Sequence, residues 1–171
     1  EKYRRLQGSY PVIYLTFADI KADSYEDSKN SIIAVINEAY QAHRHLLESD
    51  VITDGEKNLF KAFDEYTNDS SSDKEIANEV VFRSIKVLSD CLYRYYNQKV
   101  IILLDEYDTP MQEAYIHGYW EEFTAFIRSL FNSTFKTNPY LERAMMTGIT
   151  RVSKETVFSD LNNLNVVTTT S

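Results

Sequence analysis

The sequence predicts an α/β protein built as a three-layer sandwich, with a mainly parallel sheet between layers of helix. Three observations lead there. Apolar runs short enough to be strands alternate with amphipathic stretches longer than about ten residues, the pattern of parallel crossovers. The strongest strand signal, residues 99–104 (KVIILL), holds five consecutive apolar residues without alternation, as in a strand covered on both faces. Four Gly and three Pro in 171 residues are too few for a many-stranded β-sandwich with frequent turns.

Each element has its own warrant. Residues 11–17 (PVIYLTF) mix β-branched and aromatic side chains and read as a short buried strand. Residues 28–48 carry Ile32, Ile36, Ala39, Tyr40, His43, Leu46 and Leu47 at three- and four-residue steps, one face of a long helix. A second helix begins at Asp54, with Glu56 and Lys57 in its first turn and Leu59, Phe60 and Phe63 facing inward. Residues 68–73 (NDSSSD) form the clearest loop. A third helix spans about residues 73–96 through Ile76, Val80, Val87, Leu88, Cys91, Leu92 and Tyr95. After the strand at 99–105, a helix over about 119–135 gathers Trp120, Phe123, Ile127, Leu130 and Phe131 on one side. Residues 143–149 (RAMMTGI) read as a strand, 153–159 as a helical turn and 166–170 as a last strand. There is no internal repeat, so residues 1–171 are read as one domain.

Composition narrows the function classes. Apolar residues at 43% and charged residues at 26% are those of a globular protein with a real core, not of a disordered tail. Twenty-six acids against eighteen bases give a net charge of −8. Without a run of Lys or Arg, that surface argues against direct nucleic-acid binding. No apolar run approaches the ~20 residues of a membrane span. The single cysteine, Cys91, sits on an inward helix face and reads as core. A cytoplasmic location is expected, and Glu1 in place of Met suggests that the true start lies upstream.

The chemistry-bearing feature is Ile101-Ile102-Leu103-Leu104-Asp105-Glu106, an apolar strand that hands two carboxylates to its carboxyl end. In open α/β sheets that edge is where ligands bind. Asp105 there can hold Mg²⁺, usually through water, and Glu106 can orient a water that attacks a phosphate. The same pattern also arises from two solvated charges opening a loop. Other candidates are weaker. His43 and His45, two apart on a helix, should point away from each other, and His117 has no ligand partner in sequence. The Tyr93, Tyr95 and Tyr96 cluster lacks basic company and should pack beneath the sheet.

Five segments occur in order: residues 10–15 (YPVIYL), 104–110 (LDEYDTP), 138–141 (NPYL), 146–149 (MTGI) and 158–164 (FSDLNNL). Together they closely resemble the AAA-ATPase-like family of predicted P-loop NTPases, over nearly the whole chain. Its longer members often carry a nuclease-like domain further along. The resemblance implies a partial P-loop NTPase core in which 99–105 is the Walker B strand and 143–149 the sensor strand. Asp105 then looks like the metal-binding acid and Glu106 like the catalytic one. Thr147 resembles a polar sensor of the terminal phosphate, and Arg151 an arginine that neutralises phosphate charge. For Thr147 a turn-closing role stays open beside this, and for Arg151 a surface ion pair. Asn162 and Asn163 read as structural caps or bridges. Mg²⁺ and ATP are the implied cofactor and partner, both only when a P-loop is present.

The departures from the family matter. No G-x-x-x-x-G-K-[ST] motif occurs, and Gly8, Gly55, Gly118 and Gly148 cannot form one. In the family that motif precedes the matched region, so an amino-terminal part is expected to be missing and the isolated chain to be inactive. Asp160 stands where the family has Gly. The three strands should form one parallel sheet with 99–105 central. Without the P-loop strand, the tail after Leu164 should be detached, exchanged with another copy of the chain, or paired in a way foreign to the family. The expected function is part of an ATP-hydrolysing AAA-type domain. Two alternatives compete with it: a nucleotide-responsive scaffold without turnover, and a metal-dependent nuclease using Asp105, Glu106 and Asp108.

Overall fold

The computed structural model describes residue 4 and residues 7–68, 75–149, 161, 165 and 167. Three parallel strands make one sheet in the order β1-β2-β3, where β1 is Val12–Thr16, β2 Val100–Asp105 and β3 Leu141–Met146. The central position of β2 agrees with the sequence reading. β1 runs in register with β2 from the Val12–Ile101 pair to the Thr16–Asp105 pair. On the other side Val100 faces Leu141 while Ile101 faces Arg143, so Glu142 is an extra residue that bulges the start of β3.

Two crossovers connect the strands. The first holds α1 (Tyr25–Ala42), a 3₁₀ turn (Arg44–Glu48), α2 (Asp54–Asn68) and α3 (Asn78–Tyr96). Ser24 caps α1 by accepting the Asp27 N–H at 3.2 Å, with Glu26 and Asp27 in the first turn to complement the helix dipole. The helix ends six residues earlier than the apolar spacing suggests. His43 leaves helical geometry (φ −111°, ψ 24°), and the 3₁₀ turn that follows carries Leu46 into the core. α2 opens with a reciprocal cap: Glu56 Oε2 accepts the Thr53 N–H at 2.7 Å, and Thr53 Oγ1 accepts the Glu56 N–H at 3.3 Å. α3 stops at Asn97, in the left-handed region at φ 50°, which Asn tolerates better than most residues. Arg94, near that end, ties back to Glu56, Asp90 and the Val51 carbonyl, locking α3 to the start of α2.

The second crossover holds α4 (Thr109–Ile116), α5 (Trp120–Phe131) and a π-helical turn (Asn132–Lys136). α4 has no counterpart in the sequence reading, because its eight residues carry little periodic pattern. Its start is nonetheless marked by Asp108 and by Pro110 in the first turn. The helix expected over 119–135 is α5 plus the wider π turn.

The core fills the space between one sheet face and α1, α3 and α5, which contact one another. Ile13, Leu15, Ile102 and Leu104 supply the sheet side, and Tyr40 packs edge-on to Phe60 with ring centroids 4.7 Å apart. The other face departs from the expectation of cover on both sides. It presents Val12, Tyr14 and Met145, of which Tyr14 is 55% and Met145 62% exposed. Ile101 and Leu103 are half-buried there because their cross-strand neighbours shield them, without a helix above. The described residues thus form two layers. The segments at 153–159 and, apart from the exposed Val167, 166–170 lie outside the described residues, as does Asp160.

Candidate functional site

β2 ends at Asp105, and the chain reverses at Glu106, whose φ is +51°. A left-handed backbone costs a non-glycine residue about 1–2 kcal/mol, so surrounding contacts must hold it. They come from the exit of β3. The Thr147 N–H donates to the Leu104 carbonyl at 3.0 Å, and the Thr147 carbonyl accepts the Tyr107 N–H at 3.0 Å. Its hydroxyl donates to Asp105 Oδ1 and accepts the Glu106 N–H at 3.3 Å. Thr147 therefore stitches the turn 104–107 to the end of β3. On the far side, the Phe17 N–H donates to the Asp105 carbonyl at 2.9 Å, so Thr16, Asp105 and Thr147 stand in a row across the carboxyl rim of the three strands.

α4 continues the site. The Thr109 hydroxyl donates to Glu106 Oε2 at 3.1 Å, and the Thr109 N–H to the Glu106 carbonyl at 3.1 Å. Asp105 and Glu106 are both half-buried, as rim residues are, and neither forms an ion pair among the described residues. Asp108 is different. It is 1% exposed, accepts from Gln112 Nε2 at 3.2 Å and lies under Gly148. A Cβ on Gly148 would stand 2.6 Å from Asp108 Oδ1 and 2.9 Å from the Tyr107 ring, so only glycine allows this approach.

The structure thus brings together three of the predicted site residues, Asp105, Glu106 and Thr147. Arg151, Asn162 and Asn163 lie outside the described residues. Thr109 and Gly148 were missed as supports of the acids. The Thr-Pro pair directly after Asp108 was the available signal, since it marks a helix starting at the doublet. Among the described residues no group of three or more His, Cys, Asp or Glu side chains is arranged to hold a metal ion. Asp108, turned inward, does not join the other two acids as a nuclease reading needs. The remaining pair suits Mg²⁺, which is commonly held by one or two carboxylates together with waters and substrate phosphates.

The weaker candidates resolve as follows. Cys91 is buried, and its thiol is pushed up to about 12 by burial and by the Glu56 charge, so it is core, not a nucleophile. His43 and His45 do not diverge, because the helix ends between them; their rings are 5.9 Å apart. Tyr95 and Tyr96 are exposed beside His45 instead of under the sheet, and Tyr93 packs on Tyr140. His117 lies between Asp23 (3.3 Å) and Glu113 (3.4 Å).

An open parallel α/β sheet with two acids at the end of its central strand belongs to the class of open α/β folds, in which ligands generally bind at the carboxyl edge. Within that class the sequence profile of the AAA-ATPase-like family, described as a predicted AAA-ATPase, matches residues 1–158, and the chain belongs to this family. No curated protein and no solved structure matches it. Among the described residues no helix is long and apolar enough to cross a membrane.

Proposed function

We propose that this chain supplies the Walker B acids and the sensor region of an ATP-binding and ATP-hydrolysing AAA-type domain. The observation that carries the reading is the hydrogen bond from Thr147 to Asp105 at the end of the central strand, with Glu106 next in the chain. Asp105 is the acid that would hold Mg²⁺, and Glu106 the one that would orient the attacking water. Mg²⁺ bound there would neutralise charge on the phosphates. Thr147, bonded to the Asp105 carboxylate and to the Glu106 N–H, would report the state of the terminal phosphate to this turn, and Arg151 would add a guanidinium suited to phosphate oxygens.

This sequence holds no phosphate-cradling glycine loop, and on this reading a segment outside it would supply that part. A layer on the open sheet face would complete the three-layer core. On this reading the chain alone has too few donors to hold a triphosphate and does not turn over. The experiment is ATP hydrolysis by the chain with its upstream segment restored, beside the Glu106→Gln variant. Turnover should fall about a hundredfold or more without loss of ATP binding; unchanged turnover overturns the assignment.

One observation favours a second reading. Glu106 Oε2 is engaged by Thr109, which turns the carboxylate toward α4. A nucleotide-responsive switch domain without turnover would keep it there. Nucleotide binding with no hydrolysis in either the restored chain or its Thr109→Val variant would decide for the switch.

A further inference from the structure

A second candidate site lies well away from the acids. A groove of about 390 Å³ runs between α3 and the turn into β3, lined by Arg83, Lys86, Val87, Asp90, Ser133 and Tyr140. Tyr140 enters β3 while Thr147 leaves it, so the two sites are separated by the length of the strand, on the order of 20 Å at about 3.3 Å per residue.

The groove is cationic on a molecule whose net charge is −8. Asp90 is the one acid in the lining, and its carboxylate is bound by Arg94 Nε at 3.1 Å. Arg83 and Lys86, one turn apart on α3, have no ion-pair partner among the described residues. Two uncompensated cations on one concave surface focus a positive potential there. Ser133, on the π turn, and Tyr140 share the lining, and each carries a hydroxyl able to donate.

The far wall is held in place from beneath. Buried Asn138 donates to Ser89 Oγ at 3.1 Å and accepts the Tyr140 N–H at 3.1 Å, while the Tyr140 carbonyl accepts the Val100 N–H at 2.9 Å. The Tyr140 ring is backed by Tyr93, with centroids 5.5 Å apart. The π turn, closed by the Thr137 N–H to the Asn132 carbonyl at 3.4 Å, presents Ser133 on the groove; such turns recur at functional positions.

We infer that this groove binds a small phosphorylated molecule. Arg83 offers a planar fork for two phosphate oxygens, Lys86 a point charge, Ser133 and Tyr140 neutral donors, and Val87 with the Tyr140 ring an apolar wall for the organic part. A free phosphate would use the cations alone, whereas a phosphomonoester would also use the wall.

The test is an NMR titration of the full chain in magnesium-free buffer with inorganic phosphate and, separately, with phenyl phosphate. Saturable shifts should appear at Arg83, Lys86, Ser133 and Tyr140, with phenyl phosphate binding more tightly. Arg83→Gln and Lys86→Gln should each weaken binding about tenfold, and Lys61→Gln, which removes a cation elsewhere, should not. Unchanged spectra outside the groove check that the variants fold. Shifts that do not saturate, that sodium chloride reproduces at equal ionic strength, or that follow Lys61→Gln equally overturn the proposal.

Discussion

Thr147 and Gly148 together decide the local geometry of the candidate site. The Thr147 hydroxyl serves two partners, so Thr147→Val removes both at once, while Thr147→Ser keeps them. A loss of about 1–2 kcal/mol is expected for Val, and much less for Ser, in urea denaturation. Gly148→Ala acts differently. Its Cβ would collide with Asp108 and Tyr107, so the loop must shift and carry Thr147 with it, at about 1–3 kcal/mol. Equal stability of Gly148→Ala and the parent would mean that the two loops do not meet as described. His43 offers a residue-scale test by pH. Burial lowers its pKa from 6.5, the Val12 carbonyl at 3.1 Å opposes that in part, and neighbouring His45 adds to the lowering. The unfolded chain therefore binds the proton more readily. The contribution of His43 to stability is complete above 6.5 and is lost as pH falls through the lower folded value. Thermal scans from about pH 7.5 to about 5.5 should show a declining midpoint, with a shallower slope in His43→Gln.

Among the elements, those that were legible in the sequence had a strong physical signature of their own. β2 is a run of apolar residues ended by acids, and α2 places Glu56 in its first turn ahead of the inward Phe60 and Phe63. What the sequence left unread depends on tertiary contact. The apolar spacing of α1 continues past Ala42, yet the helix breaks at His43, because the ring bonds the Val12 carbonyl and Leu46 must reach the core. α4 is short and gains its place from Asp108 lodged beneath Gly148, a contact between residues forty apart that no local pattern encodes. The same holds for the candidate site. The acids could be read from the end of an apolar run. Their supports, Thr109 and the Thr147 latch, depend on how α4 and β3 come back to the rim.

For the molecule as a whole, the sheet is the decisive structure. The central place of β2 was expected from the family resemblance, whereas the parallel direction of the sheet's strands follows from the long crossovers, and so was legible. Its one-sided burial was not, because an unalternating run such as VIILL looks the same whether a helix or a cross-strand neighbour covers alternate residues. The asymmetry has a measurable consequence. Ile102 is fully buried on the helix side, so Ile102→Ala should cost about 2–5 kcal/mol. On the opposite face Met145 is 62% and Tyr14 55% exposed, and Met145→Ser or Tyr14→Ser removes little apolar area that is hidden from water. Each should cost less than about 1 kcal/mol in the same denaturation series. If the upstream segment covers that face, as the proposed function requires, the two serine variants should become several times more destabilising in the extended chain, while the cost of Ile102→Ala stays as it was. Serine variants that are severe already in the present chain would mean both faces are packed. Serine variants that remain mild after extension would mean that the added segment packs elsewhere, and the proposed third layer would then have to be abandoned.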